Sequence, residues 1–123
     1  MNKKVLICDD EPFILESVKH VVKREGYDVI TAEDGLQGVD LAKKEKPNLV
    51  ILDVMMPGRT GYEVCKIIKG NPGTKDIFVI ILTARGQELD EKLGLEAGAD
   101  EYMTKPFSPR KLRQRLHEIL DQD

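Results

Sequence analysis

Cysteine is scarce in this chain, and so is any strong imbalance of charge. Cys8 and Cys65 are the only cysteines among 123 residues. They lie far apart and form no CxxC pair, which reads as buried free thiols in a reducing compartment. The formal net charge is only −3, which gives no general drive towards nucleic acid. Long apolar runs are absent as well. The N-terminus, MNKKVLICDDEP, carries one short apolar stretch, Val5 to Cys8, before Asp9 and Asp10. That is too short for a signal-peptide core or a membrane span. A cytoplasmic protein without membrane contact is therefore expected. No repeat, low-complexity tract or Gly/Ser linker divides the chain, so a single domain over residues 1–123 is expected.

What is present is enough for a folded domain. Hydrophobic residues make up 41% and charged residues 33%, which separates this composition from that of a disordered chain. Short apolar runs alternate with helical patterns. Val5 to Cys8, Leu49 to Leu52 and Ile77 to Leu82 are apolar on both faces, as strands in the middle of a parallel sheet are. Val29 to Ala32 and Tyr102 to Thr104 are more polar and read as edge strands. Pro12 opens a first helix that ends at Gly26. Asp34 caps a second, which ends before Pro47. Thr60 and Glu63 have capping-box spacing ahead of a third. A fourth runs from about Gln87 to Glu96, and Ser108-Pro109 opens a fifth. The expectation is an α/β fold, a doubly wound parallel sheet of five strands with five helices.

Ligands of such sheets bind beyond the carboxyl ends of the strands, where the winding reverses. The predicted strand ends carry Asp9-Asp10-Glu11, Asp53, Thr83-Ala84 and Thr104-Lys105-Pro106. If the first and third strands are neighbours, three aspartates converge. Carboxylates this close repel one another, and a hard divalent cation relieves them. Magnesium suits an open, oxygen-only site. Lys105 and Thr83 beside Asp53 would stabilise phosphoryl oxygens, and Asp53 has the chemistry of a nucleophile that becomes an acyl phosphate.

On these residues the chain resembles a response-regulator receiver domain of two-component signalling. The resemblance rests on Asp9-Asp10, Asp53 within LDVMMPG, Thr83-Ala84 within LTARG, and Lys105-Pro106 within TKPF. Each signal is weak alone, and all four in this order are specific. The segment from Leu82 to Pro109 is similar to receivers that serve DNA-binding transcription regulators. The resemblance implies a flavodoxin-like sheet with strand order 2-1-3-4-5. It implies that a histidine kinase, a phosphotransfer protein or a small phosphodonor phosphorylates Asp53. Asp10, Asp53 and the backbone carbonyl of Met55 would ligate magnesium directly, with Asp9 acting through water. Thr83 and Tyr102 would switch, Lys105 would pair with the phosphoryl group, and the bond before Pro106 would be cis. The protein would then be a switch rather than an enzyme. One departure is visible: Thr60 stands before Gly61, where many receivers have an aspartate.

Other readings of the same residues compete. Asp10 or Glu11 could simply cap the first helix. Tyr102 could be edge-strand packing. Arg110, Lys111, Arg113 and Arg115 read as a solvated face rather than a DNA contact. Glu91, Glu101, Lys111 and Arg115 could instead pair across a two-fold homodimer of the fourth helix, fifth strand and fifth helix. A flavin carrier is disfavoured, because Asp9-Asp10-Glu11 would repel its phosphate. An aspartyl-phosphate phosphatase would need a second aspartate shortly after Asp53, where Val54 and Met55 stand. A receiver-like module that binds partners without phosphorylation is the remaining alternative.

Overall fold

In the computed structural model, residues 2–84, 96–105 and 108–121 are described. They form β1 (Lys4–Cys8), α1 (Pro12–Arg24), β2 (Asp28–Ala32), α2 (Gly35–Glu45) and β3 (Leu49–Asp53). Then follow α3 (Gly61–Gly70), β4 (Phe78–Ala84), β5 (Glu101–Lys105) and α4 (Pro109–Leu120). The helix expected from Gln87 to Glu96 lies outside the described residues except at its end, where Glu96 and Ala97 are helical. The helix labelled α4 is thus the fifth of the expected helices.

All five strands are parallel, in the order β2-β1-β3-β4-β5. The apolar runs in β1 and β3 are buried, and the more polar β2 and β5 lie at the edges. The sequence of β3 is Val- and Ile-rich because both of its faces are covered. Leu6, Val50 and Ile81 face one core with α2 and α3. Val5, Ile51 and Ile80 face the other with α1 and α4. The winding reverses between β1 and β3, so the crevice expected from topology opens there.

Helix ends follow local chemistry. Thr60 and Glu63 form the expected capping box at α3. The Asp34 side chain accepts from the Gln37 amide at α2, and the Ser108 side chain from Lys111 at α4. At α1 the capping expectation for Asp10 or Glu11 is not met. Glu11 occupies the cap position without a side-chain cap, and its amide donates instead to Asp9 Oδ1 at 3.0 Å.

The C-terminal helix is tied back to α1 by a cluster that local sequence patterns do not reveal. The Tyr27 hydroxyl donates to Asp121 Oδ1 at 2.7 Å and lies 2.9 Å from His117 Nδ1. His117 Nε2 lies 2.8 Å from Glu25 Oε1, and Nδ1 faces Asp121. The Glu25 contact, followed by that to Asp121, raises the His117 pKa above its ordinary 6.5. The fold therefore favours the protonated ring. That contribution is complete below pH 6.5 and is lost as pH rises through the higher folded value. Thermal unfolding followed from mildly acid to alkaline pH should show a small loss of stability above neutrality. His117→Gln should remove that slope. The effect is modest because the ring is half exposed to solvent.

The surface of β5 and α4 also differs from expectation. Arg115 Nε donates to both Glu101 oxygens, at 2.9 and 3.0 Å, and Nη1 reaches Glu118 at 2.9 Å. Two of the charges expected to pair between protomers are thus paired within one. Glu91 lies outside the described residues.

Candidate functional site

Register places the acids before any side chain is considered. Cys8 pairs with Leu52, so Asp9 follows β1 level with Asp53 at the end of β3. Asp53 pairs with Leu82, which puts Thr83 one step further along β4. Ala84 pairs with Lys105, so the lysine stands beyond the level of Asp53 on β5. Its long stem spans the gap.

The loop after β3 is held tightly. The Val54 amide donates to the Leu82 carbonyl at 3.2 Å, and the Gly61 amide to the Val54 carbonyl at 2.8 Å. Gly58 turns the chain with φ 83°, a conformation glycine adopts without strain. Gly61 packs directly on the Asp53 peptide: a Cβ there would sit 2.3 Å from the Asp53 carbonyl oxygen. A side chain at this position would push β3 and the start of α3 apart. The phosphoacceptor candidate is therefore fixed from below by strand pairing and from the side by helix α3.

Asp9, Asp10 and Asp53 each place a carboxylate oxygen within 4.8 Å of the others. Asp9 is wholly buried and Asp53 is 5% exposed, whereas Asp10 faces solvent. Lys105 Nζ sits 2.9 Å from Asp9 Oδ2 and 3.1 Å from Asp53 Oδ1. Glu11 lies further off, at 3.8 Å, on the exposed rim. The Lys105 contact with Asp9 Oδ2 is one of charge and proximity, since that oxygen is buried without a well-directed hydrogen bond. Burial raises the Asp53 pKa, and the Asp9 charge raises it further; Lys105 and a backbone hydrogen bond from Met55 oppose the shift. Burial by itself would lower Lys105, but the contacts with Asp9 and then Asp53 outweigh it and hold its pKa above normal. Three carboxylates facing one ammonium leave an excess of two negative charges. The donors are all oxygen, and Asp9 keeps an unfilled acceptor. This arrangement fits a hard divalent cation.

The chain also matches known proteins. Residues 5–117 match the response regulator receiver domain. The chain belongs to the response regulator receiver family. It is 50% identical over 121 residues to the alkaline phosphatase synthesis transcriptional regulatory protein PhoP of Bacillus subtilis, covering 98% of this chain and 49% of that protein. The chain thus spans about half the length of that relative. Among solved structures, a response regulator from Chloroflexus aurantiacus superposes with a TM-score of 0.91 at 35% identity, covering 99% of this chain and all of the other. The Vibrio cholerae chemotaxis protein CheY4 superposes with a TM-score of 0.88 at 32% identity, covering 98% of this chain and all of the other.

As a receiver, the chain brings Asp9, Asp10, Asp53 and Lys105 together as the sequence suggests. Thr83 is half-buried at the end of β4, paired in register with Thr104. Tyr102 is half-buried against the core under α3, where burial and then the neighbouring Cys65 and Tyr62 raise its pKa. It points to the same side of the sheet as α3. Pro106 lies outside the described residues.

Proposed function

We propose that this receiver is a phosphorylation switch whose acceptor is Asp53. The observation that carries this reading is Lys105 Nζ bridging Asp9 and Asp53 at the point where β1 and β3 diverge. An oxygen of the Asp53 carboxylate attacks phosphorus, and the donor's leaving group departs. The Lys105 ammonium stabilises the phosphoryl oxygens by charge, as a point donor. The Thr83 hydroxyl hydrogen-bonds the phosphoryl group, and Tyr102 moves into the space this creates. Two packings of one sheet edge are thereby biased by one covalent change.

Asp10, Asp53 and the backbone carbonyl of Met55 would hold magnesium, with Asp9 supporting it through water. The ion supplies positive charge against the excess of acid and the incoming phosphoryl group. The protein carries a transferred group rather than turning over a substrate. We read residues 1–123 as one receiver unit acting in the cytoplasm, and its two buried thiols fit a reducing compartment. Among the described residues no helix is long and apolar enough to cross a membrane.

The test is labelling with acetyl phosphate, with and without magnesium. Purified protein should form an acid-stable, base-labile phosphoryl adduct at Asp53 only when magnesium is present. Equal labelling in chelator would overturn the metal assignment, and labelling at another residue would overturn the acceptor.

A histidine kinase or phosphotransfer protein is the expected donor, and one face suits it. Phe13 in the first turn of α1 is 79% exposed. It heads a groove of about 460 Å³ between α1 and α4, lined also by His20, Arg24, Pro109 and Arg113. Exposed aromatic surface beside cations is the kind a protein partner covers. Phe13→Ala should slow transfer from the cognate kinase by about ten-fold or more, the scale of one lost interface anchor. Labelling by acetyl phosphate should be unchanged, and equal loss with both donors would show damage to the site rather than to docking. The homodimer through the expected fourth helix, β5 and α4 remains part of the proposal. It requires Arg115 to exchange its partner Glu101 within the chain for one across the two-fold, and sedimentation with a phosphoryl mimic tests it.

A further inference from the structure

Met55 stands apart from the other methionines of the described residues. Its residue is 59% exposed, whereas Met103 is 5% exposed and Met56 packs partly buried against the core. It stands two residues after Asp53, just past the end of β3. Covalent geometry then keeps the Met55 Cα within about 7 Å of the Asp53 Cα. An exposed thioether is thus anchored at the rim of the acceptor site. The two thiols offer no competing target. Cys8 and Cys65 are both buried, and burial pushes the Cys65 thiol up to about 12. Neither is a reactive thiolate.

We propose that Met55 is a redox-modification site, at which a hydroperoxide converts the thioether to the sulfoxide and so shortens the life of the phosphoryl group on Asp53. The sulfur lone pair attacks one peroxide oxygen. An S–O bond forms and the O–O bond breaks. The sulfur is oxidised by two electrons, and the peroxide is reduced and leaves as water, or as an alcohol from an organic hydroperoxide, after its own proton shifts to the departing oxygen. The change turns a flexible apolar side chain into a polar one that accepts hydrogen bonds. Beside an acyl phosphate the apolar form sheds water, whereas the sulfoxide oxygen holds a water at the rim, next to the phosphorus. Hydrolysis becomes faster.

The inference rests on the proposed acceptor role of Asp53, and the experiment separates the two. The protein is treated with graded hydrogen peroxide, and methionine sulfoxide is mapped by peptide mass spectrometry. Each sample is then labelled with acetyl phosphate and magnesium, the donor is removed, and decay of the adduct is followed. Met55 should oxidise before Met56 and Met103, and the decay rate should rise several-fold in step with its sulfoxide. Methionine sulfoxide reductase should reverse the effect, and decay in Met55→Leu should not respond to peroxide. Earlier oxidation of Met56 or Met103 overturns the inference. So does an unchanged lifetime with Met55 fully oxidised, or a response in Met55→Leu equal to that of the wild type. Failure of the untreated protein to label at Asp53 overturns the acceptor assignment itself.

Discussion

Asp53→Asn should abolish formation of the acyl phosphate and, in metal-free buffer, raise the unfolding temperature. The first effect is chemical. An amide oxygen is too weak a nucleophile to accept the phosphoryl group, so labelling by acetyl phosphate should fall to background. The second follows from electrostatics. Burial and the Asp9 charge raise the Asp53 pKa despite Lys105, so the ionised form is disfavoured in the fold. For a carboxyl group raised in this way, the stabilising contribution is present below its unfolded pKa and is lost as pH rises through the folded value. At neutral pH the wild type therefore carries a penalty. The neutral, nearly isosteric asparagine removes it. The gain is on the order of 1 kcal/mol, because the attraction to Lys105 is lost with the repulsion. For a chain of this size each kcal/mol moves the midpoint by roughly 4 °C. Added magnesium should narrow the difference by stabilising the wild type more than the variant. Thermal unfolding with and without magnesium reads both parts. A variant that labels like the wild type, or that melts lower in chelator, would refute the account.

The parts of this architecture that depend on local pattern were legible in the sequence. Leu49 to Leu52 had to be buried on both faces because each is apolar, and the structure buries each. The order of polar residues at the strand ends placed Asp9, Asp53 and Lys105 at one edge, since parallel strands all end on the same side. What could not be read was contact across long separations. Tyr27, His117, Asp121 and Glu25 form one cluster, yet only the His117–Asp121 pair has helical spacing. Arg115 drew attention as a charge for a partner molecule. Its pairing with Glu101 depends on how α4 lies against β5, which no periodicity fixes, although Glu118 three residues on was within reach of a spacing argument. The role of Gly61 was hidden too. The capping box marked the start of α3, but only packing shows that a Cβ would strike the Asp53 carbonyl. Asp9 was legible as an acid of the site. That it also caps the Glu11 amide, and so joins the site to α1, emerged from the fold.

Lys105→Met should be the most destabilising single change at the site in metal-free buffer. The lysine side chain is 11% exposed, and it faces a wholly buried Asp9 and a nearly buried Asp53. Methionine keeps much of the stem's volume and removes the charge. Asp9 Oδ2 then loses the ammonium 2.9 Å away, and it has no well-directed hydrogen bond in reserve. Removing one partner of a buried ion pair costs about 3–5 kcal/mol, because the remaining charge is left without compensation. Against a total stability of about 5–15 kcal/mol for a domain, that is a large share. The midpoint should fall by more than about 10 °C. Two rescues separate charge from packing. Asp53→Asn in the Lys105→Met background lowers the acidic excess by one and should recover part of the loss, so the two effects should not add. Magnesium should recover part as well, by supplying cationic charge to the same carboxylates. Labelling by acetyl phosphate should remain measurable but slower, since the acceptor is intact and a charge on the phosphoryl oxygens is missing. A Lys105→Met protein that melts like the wild type in chelator would mean that the ammonium does not offset the buried carboxylates. The electrostatic basis for both variants would then be gone. Strict additivity in the double variant would mean that Lys105 acts by packing its stem across β4 rather than by its charge.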